Sequence, residues 1–175
     1  MIMFTVQSVI HLAHSQLSYH EGREAGHWDN VQKYSEQLPG MKWSNGQPWC
    51  LVFGMWCLWQ GGISVPKGAL SASCLTSVRA FQKAGRFTEY PVNGAIVFYG
   101  KNGGEHAGVC VGWDMVHEHA VEGNTNTTGA AEGDGVYYKE RERTSAYVYG
   151  YGLPYYPHDR AVTPDPHWSG KSLAE

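Results

Sequence analysis

No stretch of this sequence approaches the roughly 20 apolar residues that a membrane-spanning helix needs, so insertion into a bilayer is not expected. Excess positive charge is missing too: 13 Lys and Arg stand against 16 Asp and Glu, a formal net charge of -3. Neutralising phosphates needs a basic face, which excludes a nucleic-acid partner. Long-range attraction to any anionic polymer is equally absent, so recognition must come from a shaped groove. Cysteines are few (Cys50, Cys57, Cys74 and Cys110), without a C-x-x-C pair or a zinc-ligand spacing. That argues against a disulfide framework, and neither a metal nor another cofactor is expected. There is no internal repeat and no low-complexity tract. Residues 1–17 lack Lys and Arg and include His11, His14 and Gln16, which makes a poor export signal. Val6, Val9, Ile10, Ala13 and Leu17 fall instead at helical spacing. The expectation is a chain made in a reducing host cytoplasm without a signal peptide.

What is present is a globular composition. The chain has 175 residues, 42% of them hydrophobic, with 7 Trp and 11 Tyr, enough for one compact and monomeric domain with its own core. Helical spacing predicts helices to about residue 19 and over 28–38, 49–60 and 71–84. Residues 49–60 are apolar almost all round, so that helix should run through the interior. After Gly85 the period changes to short runs rich in Val and aromatics, at 95–99, 107–113, 115–121, 136–142 and 146–151. Helices first and an antiparallel sheet second is an α+β order, N-terminal helices packed on a small sheet. The domain is expected to span residues 1–157. Residues 158–175 read as an extended tail, and the chain beyond Pro154 as loosely held.

The chemistry starts at Cys50. Pro48 suits a helix start, which puts Cys50 in the first turn of the interior helix. Unpaired N–H groups and the positive end of the helix dipole favour a thiolate there, and the same N–H groups can hold an oxyanion. Cys57 lies two turns along in apolar sequence with nothing to activate it. Cys57, Cys74 and Cys110 read as buried structural residues.

A nucleophilic cysteine needs an imidazole, and the imidazole needs an orienting partner. Of nine histidines, His106 follows the turn Asn102-Gly103-Gly104-Glu105 and opens a strand, where a loop-side group can meet a ligand. The strands 107–113 and 115–121 form a hairpin turning near Asp114. With three residues in the turn, His106 faces Glu122, with Asn124 one step further on that face. With two, it shares a face with His117 and His119. Both registers remain open at this level. His117 and His119 could also bind a divalent metal, but no third ligand is apparent and H-E-x-x-H is absent. A polar strand face accounts for them.

Several segments in this order resemble a known family. They are Gly46-Gln47-Pro48-Trp49-Cys50, Asn93-Gly94-Ala95-Ile96-Val97-Phe98, His106-Ala107-Gly108-Val109 and Val121-Glu122-Gly123-Asn124-Thr125. The likeness is to CHAP domains, the cysteine, histidine-dependent amidohydrolase/peptidases. Asn30-Val31-Gln32-Lys33-Tyr34 is similar to the segment ahead of the nucleophile in phage members. Gly135-Val136-Tyr137-Tyr138 and Gly150-Tyr151-Gly152-Leu153-Pro154 are similar to the closing strands. The resemblance covers about residues 5–157. It implies a papain-like α+β fold with Cys50 as nucleophile, His106 as base, Glu122 as orienter and Asn124 as a further polar group. It also implies the three-residue turn.

The substrate so implied is bacterial peptidoglycan, cut at a peptide bond or at the N-acetylmuramoyl–L-alanine amide, as by a phage endolysin or an antibacterial effector. Trp43, Trp49, Tyr19 and Trp113 are candidate walls of the substrate groove, and a packing role in the core or on the surface is an equal alternative for each. Two departures stand out. Residues 42–48 carry no carboxylate, where some members hold calcium, and Trp49 stands where others place a Gln beside the cysteine. Competing readings are an NlpC-type peptidase with His117 or His119 third in the site, an acyltransferase, and a wall-binding module without catalysis.

Overall fold

A computed structural model describes residues 5–130 and 133–157. The helices are α1 (Val6–His14), α2 (Lys33–Gln37), α3 (Cys50–Gln60) and α4 (Cys74–Lys83). A small ribbon pairs β1 (Arg23–Glu24) with β2 (His27–Trp28). The main sheet holds β3 (Phe87–Thr88), β4 (Ile96–Tyr99), β5 (His106–Trp113), β6 (His117–Thr125), β7 (Gly135–Glu142) and β8 (Val148–Gly152). Its order is β3-β8-β4-β5-β6-β7 and every pairing is antiparallel. This is the α+β arrangement expected from the change in period. Among the described residues no helix is long and apolar enough to cross a membrane.

The interior helix behaves as its composition requires. Every residue of α3 from Cys50 to Leu58 is buried, because apolar side chains surround it. Alternation along the strands then divides the sheet into two faces. Ile96, Phe98, Ala107, Val109 and Val121 join α3 in one apolar cluster. Val97, Tyr99, Cys110, Ala120 and Tyr151 form a second cluster on the other face.

Several boundaries differ from expectation. The first helix stops at His14 rather than near residue 19, and Ser18 has φ +69°. The helix expected over 28–38 is only α2, since Trp28 is in a strand and Asn30 has φ +59°. α2 is capped by Gln32, whose side chain accepts the Ser35 N–H at 2.9 Å, and Leu38 turns extended ahead of Pro39. α4 starts three residues late because Ser73 is its cap, accepting the Thr76 N–H at 3.3 Å. The strands β1, β2 and β3, two residues each, carry too little pattern to be read from sequence.

Tyr155 and Tyr156, the first residues after Pro154, are tied down rather than loose. The Tyr155 N–H donates to the Ser64 carbonyl at 2.9 Å, and the Tyr156 hydroxyl to the Gly94 carbonyl at 2.9 Å. The tail expected over 158–175 lies outside the described residues.

Candidate active site

Cys50 is the first residue of α3, and Trp49 before it provides no side-chain cap. The first-turn N–H groups of α3 thus have no intrahelical partner and point at whatever lies over the helix end. His106 opens β5 directly across from Tyr99 of β4, and the two rings stack with centroids 5.8 Å apart. His106 is fully buried, and its Nε2 lies 3.0 Å from Glu122 Oε2. With Nε2 committed to Glu122, Nδ1 is the nitrogen left for the thiol, and it has no hydrogen-bond partner.

The register that sets Glu122 beside His106 arises in a way the sequence did not disclose. Near the site Val109 pairs with Val121 and Cys110 with Ala120. At the tip Gly112 pairs with His119 and Trp113 with Glu118, so the register slips by one between Cys110 and Gly112. The turn inside the Trp113–Glu118 pair has four residues, 114–117. Its Asp114 Oδ1 accepts the N–H groups of Val116 and His117 at 2.7 and 2.8 Å. Three residues, 114–116, separate β5 from β6, but the pairing follows neither register left open by the sequence, since the Val109–Val121 register sets position 106 across from 124. A four-residue turn alone would put His119 on the face of His106, and the bulge at Val111 reverses that parity. Hence Glu122 and not His119 meets the ring. His119 bonds instead to the Tyr138 hydroxyl, 2.9 Å from its Nδ1, and pairs with Asp114 at 3.3 Å.

Glu122 is held in turn by Arg141, whose Nε and a terminal nitrogen donate to its two oxygens at 2.9 and 2.7 Å. The Arg141 guanidinium lies over the Tyr99 and Tyr147 rings at 4.7 and 5.4 Å. Burial opposes charge on Glu122, but the bonds from His106 and Arg141 outweigh it and hold the carboxyl below its usual range. Gly108 makes room for this chain of groups: a Cβ there would come within 2.7 Å of Glu122 Cγ.

The electrostatics favour an ion pair. The Cys74 thiol, 3.9 Å from the Cys50 sulfur, together with His106 and the Ala107 N–H, holds the Cys50 thiol well below its ordinary value against its burial. Burial works against a charged His106, yet the Cys50 thiolate and then Glu122 lift the ring to about 9. Cys57, on the same helix, is pushed upward by burial.

The other expected positions are met unevenly. Asn124 is fully buried with φ +53°, and neither polar atom of its amide has a partner. Extending the Val109–Val121 register sets its backbone across from His106. The proposed aromatic walls need correction. Trp49 has no exposed surface: its indole stacks on Tyr34 with centroids 5.5 Å apart and donates to Glu21 Oε2 at 2.5 Å. Trp113 is seven strand steps from His106, about 23 Å away at roughly 3.3 Å per residue. Tyr19 is half-buried, its hydroxyl accepting the Lys33 N–H at 3.0 Å, and Trp43 is exposed on the turn before α3.

A cleft of about 660 Å³ is lined by Glu21, Trp28, Asn126, Asp134 and Tyr137 among others. None of the four expected aromatic residues lines it, and neither does Cys50 or His106. It connects to the site through Glu21, which holds the indole next to Cys50 in the chain.

Sequence reasoning also missed Arg141, Tyr99, Glu118 and the Cys50–Cys74 contact. Strand alternation could have found Arg141, since Tyr137, Lys139 and Arg141 fall on one side of β7. Nothing in the sequence signals that Cys74 meets Cys50. Among the described residues no group of three or more His, Cys, Asp or Glu is placed to hold a metal ion. No protein-family model matches the chain, and no curated protein or solved structure does.

Proposed function

We propose that the chain is a cysteine hydrolase of papain-like α+β architecture that cleaves an amide bond of bacterial peptidoglycan. One observation carries the chemistry: a buried imidazole is fixed by a carboxylate at 3.0 Å on one nitrogen, with its other nitrogen left for a cysteine at a helix start. The choice of peptidoglycan rests on the resemblance to CHAP domains, and with it the setting of a phage endolysin.

In this reading the resting pair is Cys50 thiolate and His106 imidazolium. The sulfur attacks the scissile carbonyl, and first-turn N–H groups of α3 hold the oxyanion, each well-placed donor contributing about 3 kcal/mol. The imidazolium protonates the leaving amine, and water attacks the acyl-enzyme with His106 as base. Glu122 keeps the ring oriented and stabilises its charge, as the carboxylate of a catalytic triad does. Arg141 in turn fixes Glu122 by its fork of two bonds.

The test is solubilisation of purified peptidoglycan, with mass spectrometry of the released fragments to identify the bond. Wild type should release either free amino termini from peptides or the lactyl carboxyl of muramic acid. Cys50→Ala should melt as wild type does and release neither. Release by that variant would end the proposal.

A further inference from the structure

The first residues of two helices meet at the site. Cys50 begins α3 and Cys74 begins α4, both are almost wholly buried, and their sulfurs lie 3.9 Å apart. All four cysteines are free among the described residues, and the Cys110 thiol donates not to a second sulfur but to the Gly112 carbonyl at 3.7 Å. We propose that Cys74 is a resolving thiol, which captures Cys50 as a disulfide once a peroxide has oxidised it and so closes the enzyme reversibly. This rests on Cys50 being the ionised sulfur of the proposed function.

The geometry sets the order of events. Cys50 has the neighbouring imidazole and the Ala107 N–H, so it is the sulfur that ionises, while contact with Cys50 and then burial keep Cys74 a thiol. The Cys50 thiolate attacks one peroxide oxygen, the O–O bond breaks, and hydroxide leaves to take up a proton as water. Cys50 is then a sulfenic acid. Cys74 gives its proton to the departing oxygen, its sulfur attacks the Cys50 sulfur, the S–O bond breaks and a second water leaves. Two thiols lose two electrons and one peroxide becomes two waters. The sulfurs must close from 3.9 Å to about 2.0 Å, within reach of side-chain rotation at two helix starts. Cys57 and Cys110 have no such partner and serve as internal controls.

The probe is hydrogen peroxide at one equivalent, applied to the reduced full chain at neutral pH. Intact mass should fall by two hydrogen atoms, and peptide mapping should give one crosslink, Cys50 to Cys74. Wall hydrolysis should vanish with it and return fully with dithiothreitol. In Cys74→Ser, and independently in Cys74→Ala, no crosslink can form. Peroxide should then yield a Cys50 adduct with dimedone, and once that adduct or the sulfinic acid has formed, activity relative to each untreated variant should not be restored by dithiothreitol. A wild type that keeps both thiols free, or that reaches the sulfinic acid as readily as the variants, overturns the proposal. A crosslink in a protein that hydrolyses no wall would leave the thiol pair standing and remove only the hydrolase. Absence of any Cys50 oxidation in the variants would show instead that Cys50 is not the ionised sulfur.

Discussion

Both faces of the main sheet bury apolar residues, but only one of them also buries a chain of polar groups. Toward α3 the strands present Ile96, Phe98, Ala107, Val109 and Val121, a dry packing surface. On the other face lies a polar chain: Tyr99 stacks on His106, His106 meets Glu122, and Glu122 is clasped by Arg141. A second buried carboxyl, Glu118, accepts the Tyr99 hydroxyl at 2.6 Å. The apolar face stabilises through area removed from water and tolerates changes of shape. On the polar face each group is justified only by its neighbour, so removing one leaves another buried and unpaired.

The sharpest way to break this contrast is Glu122→Gln. The amide cannot balance Arg141 or stabilise the imidazolium, so turnover should fall on the order of 10³–10⁴-fold. Stability should fall by about 3 kcal/mol, since half of a buried ion pair is stranded. Turnover assays and urea unfolding measure the two, and a loss in neither would mean that the polar chain is ornamental. Next in size is the alkaline limb of activity. His106 is lifted from 6.5 to about 9, so its imidazolium is present below that value and is lost as pH rises through it. The rate should therefore drop about tenfold per pH unit above that point. The ion pair's contribution to stability, whole below 6.5, should fade over the same rise.

Glu118 offers a subtler test. Burial above all, with a smaller push from Glu122, raises its carboxyl from 4.5 to about 8. Between those values the folded chain keeps a proton that the unfolded chain has released, so this group erodes stability as pH rises. Glu118→Gln retains an acceptor for Tyr99 and removes the titration. Its melting temperature at pH 8 should exceed that of wild type by roughly 2–4 °C per kcal/mol recovered, with no gain at pH 4. The smallest effect belongs to the dry face. Ile96→Val should cost about 1 kcal/mol in urea unfolding and leave the pH profile of activity where it was. A displaced profile would mean that the two faces are coupled through the sheet.

The same contrast explains what the sequence reveals. The dry face, the interior α3 and the change from helix to strand are written as periods, and periods survive without coordinates. Cys50 and His106 were legible because each sits at the end of an element, where a cap or turn announces it. Glu122 was reachable only as one of two parities, and the bulge that decides between them falls inside 109–113, where Gly112 in the strand pattern is the one local signal of it. Arg141 was hidden among the alternating charges of β7, and Glu118 between the two histidines of β6. Trp49 was misread because an aromatic residue beside a nucleophile looks like a wall. Gly123 opposite it, where a Cβ would come within 2.6 Å of the indole, shows how closely backbone and ring are packed.

The displaced residue in β5 has one more effect. Because the slip lies between the hairpin tip and its working end, the tip can be rebuilt without moving the base. Val109 against Val121 keys the arm that carries His106 and Glu122, while the turn that begins at Asp114 sits past the slip, about 26 Å from His106 at roughly 3.3 Å per residue. That outer end is anchored separately, by Arg143, which donates to the Val116 and Met115 carbonyls at 3.0 and 3.2 Å, so a polypeptide fused there must keep those two bonds.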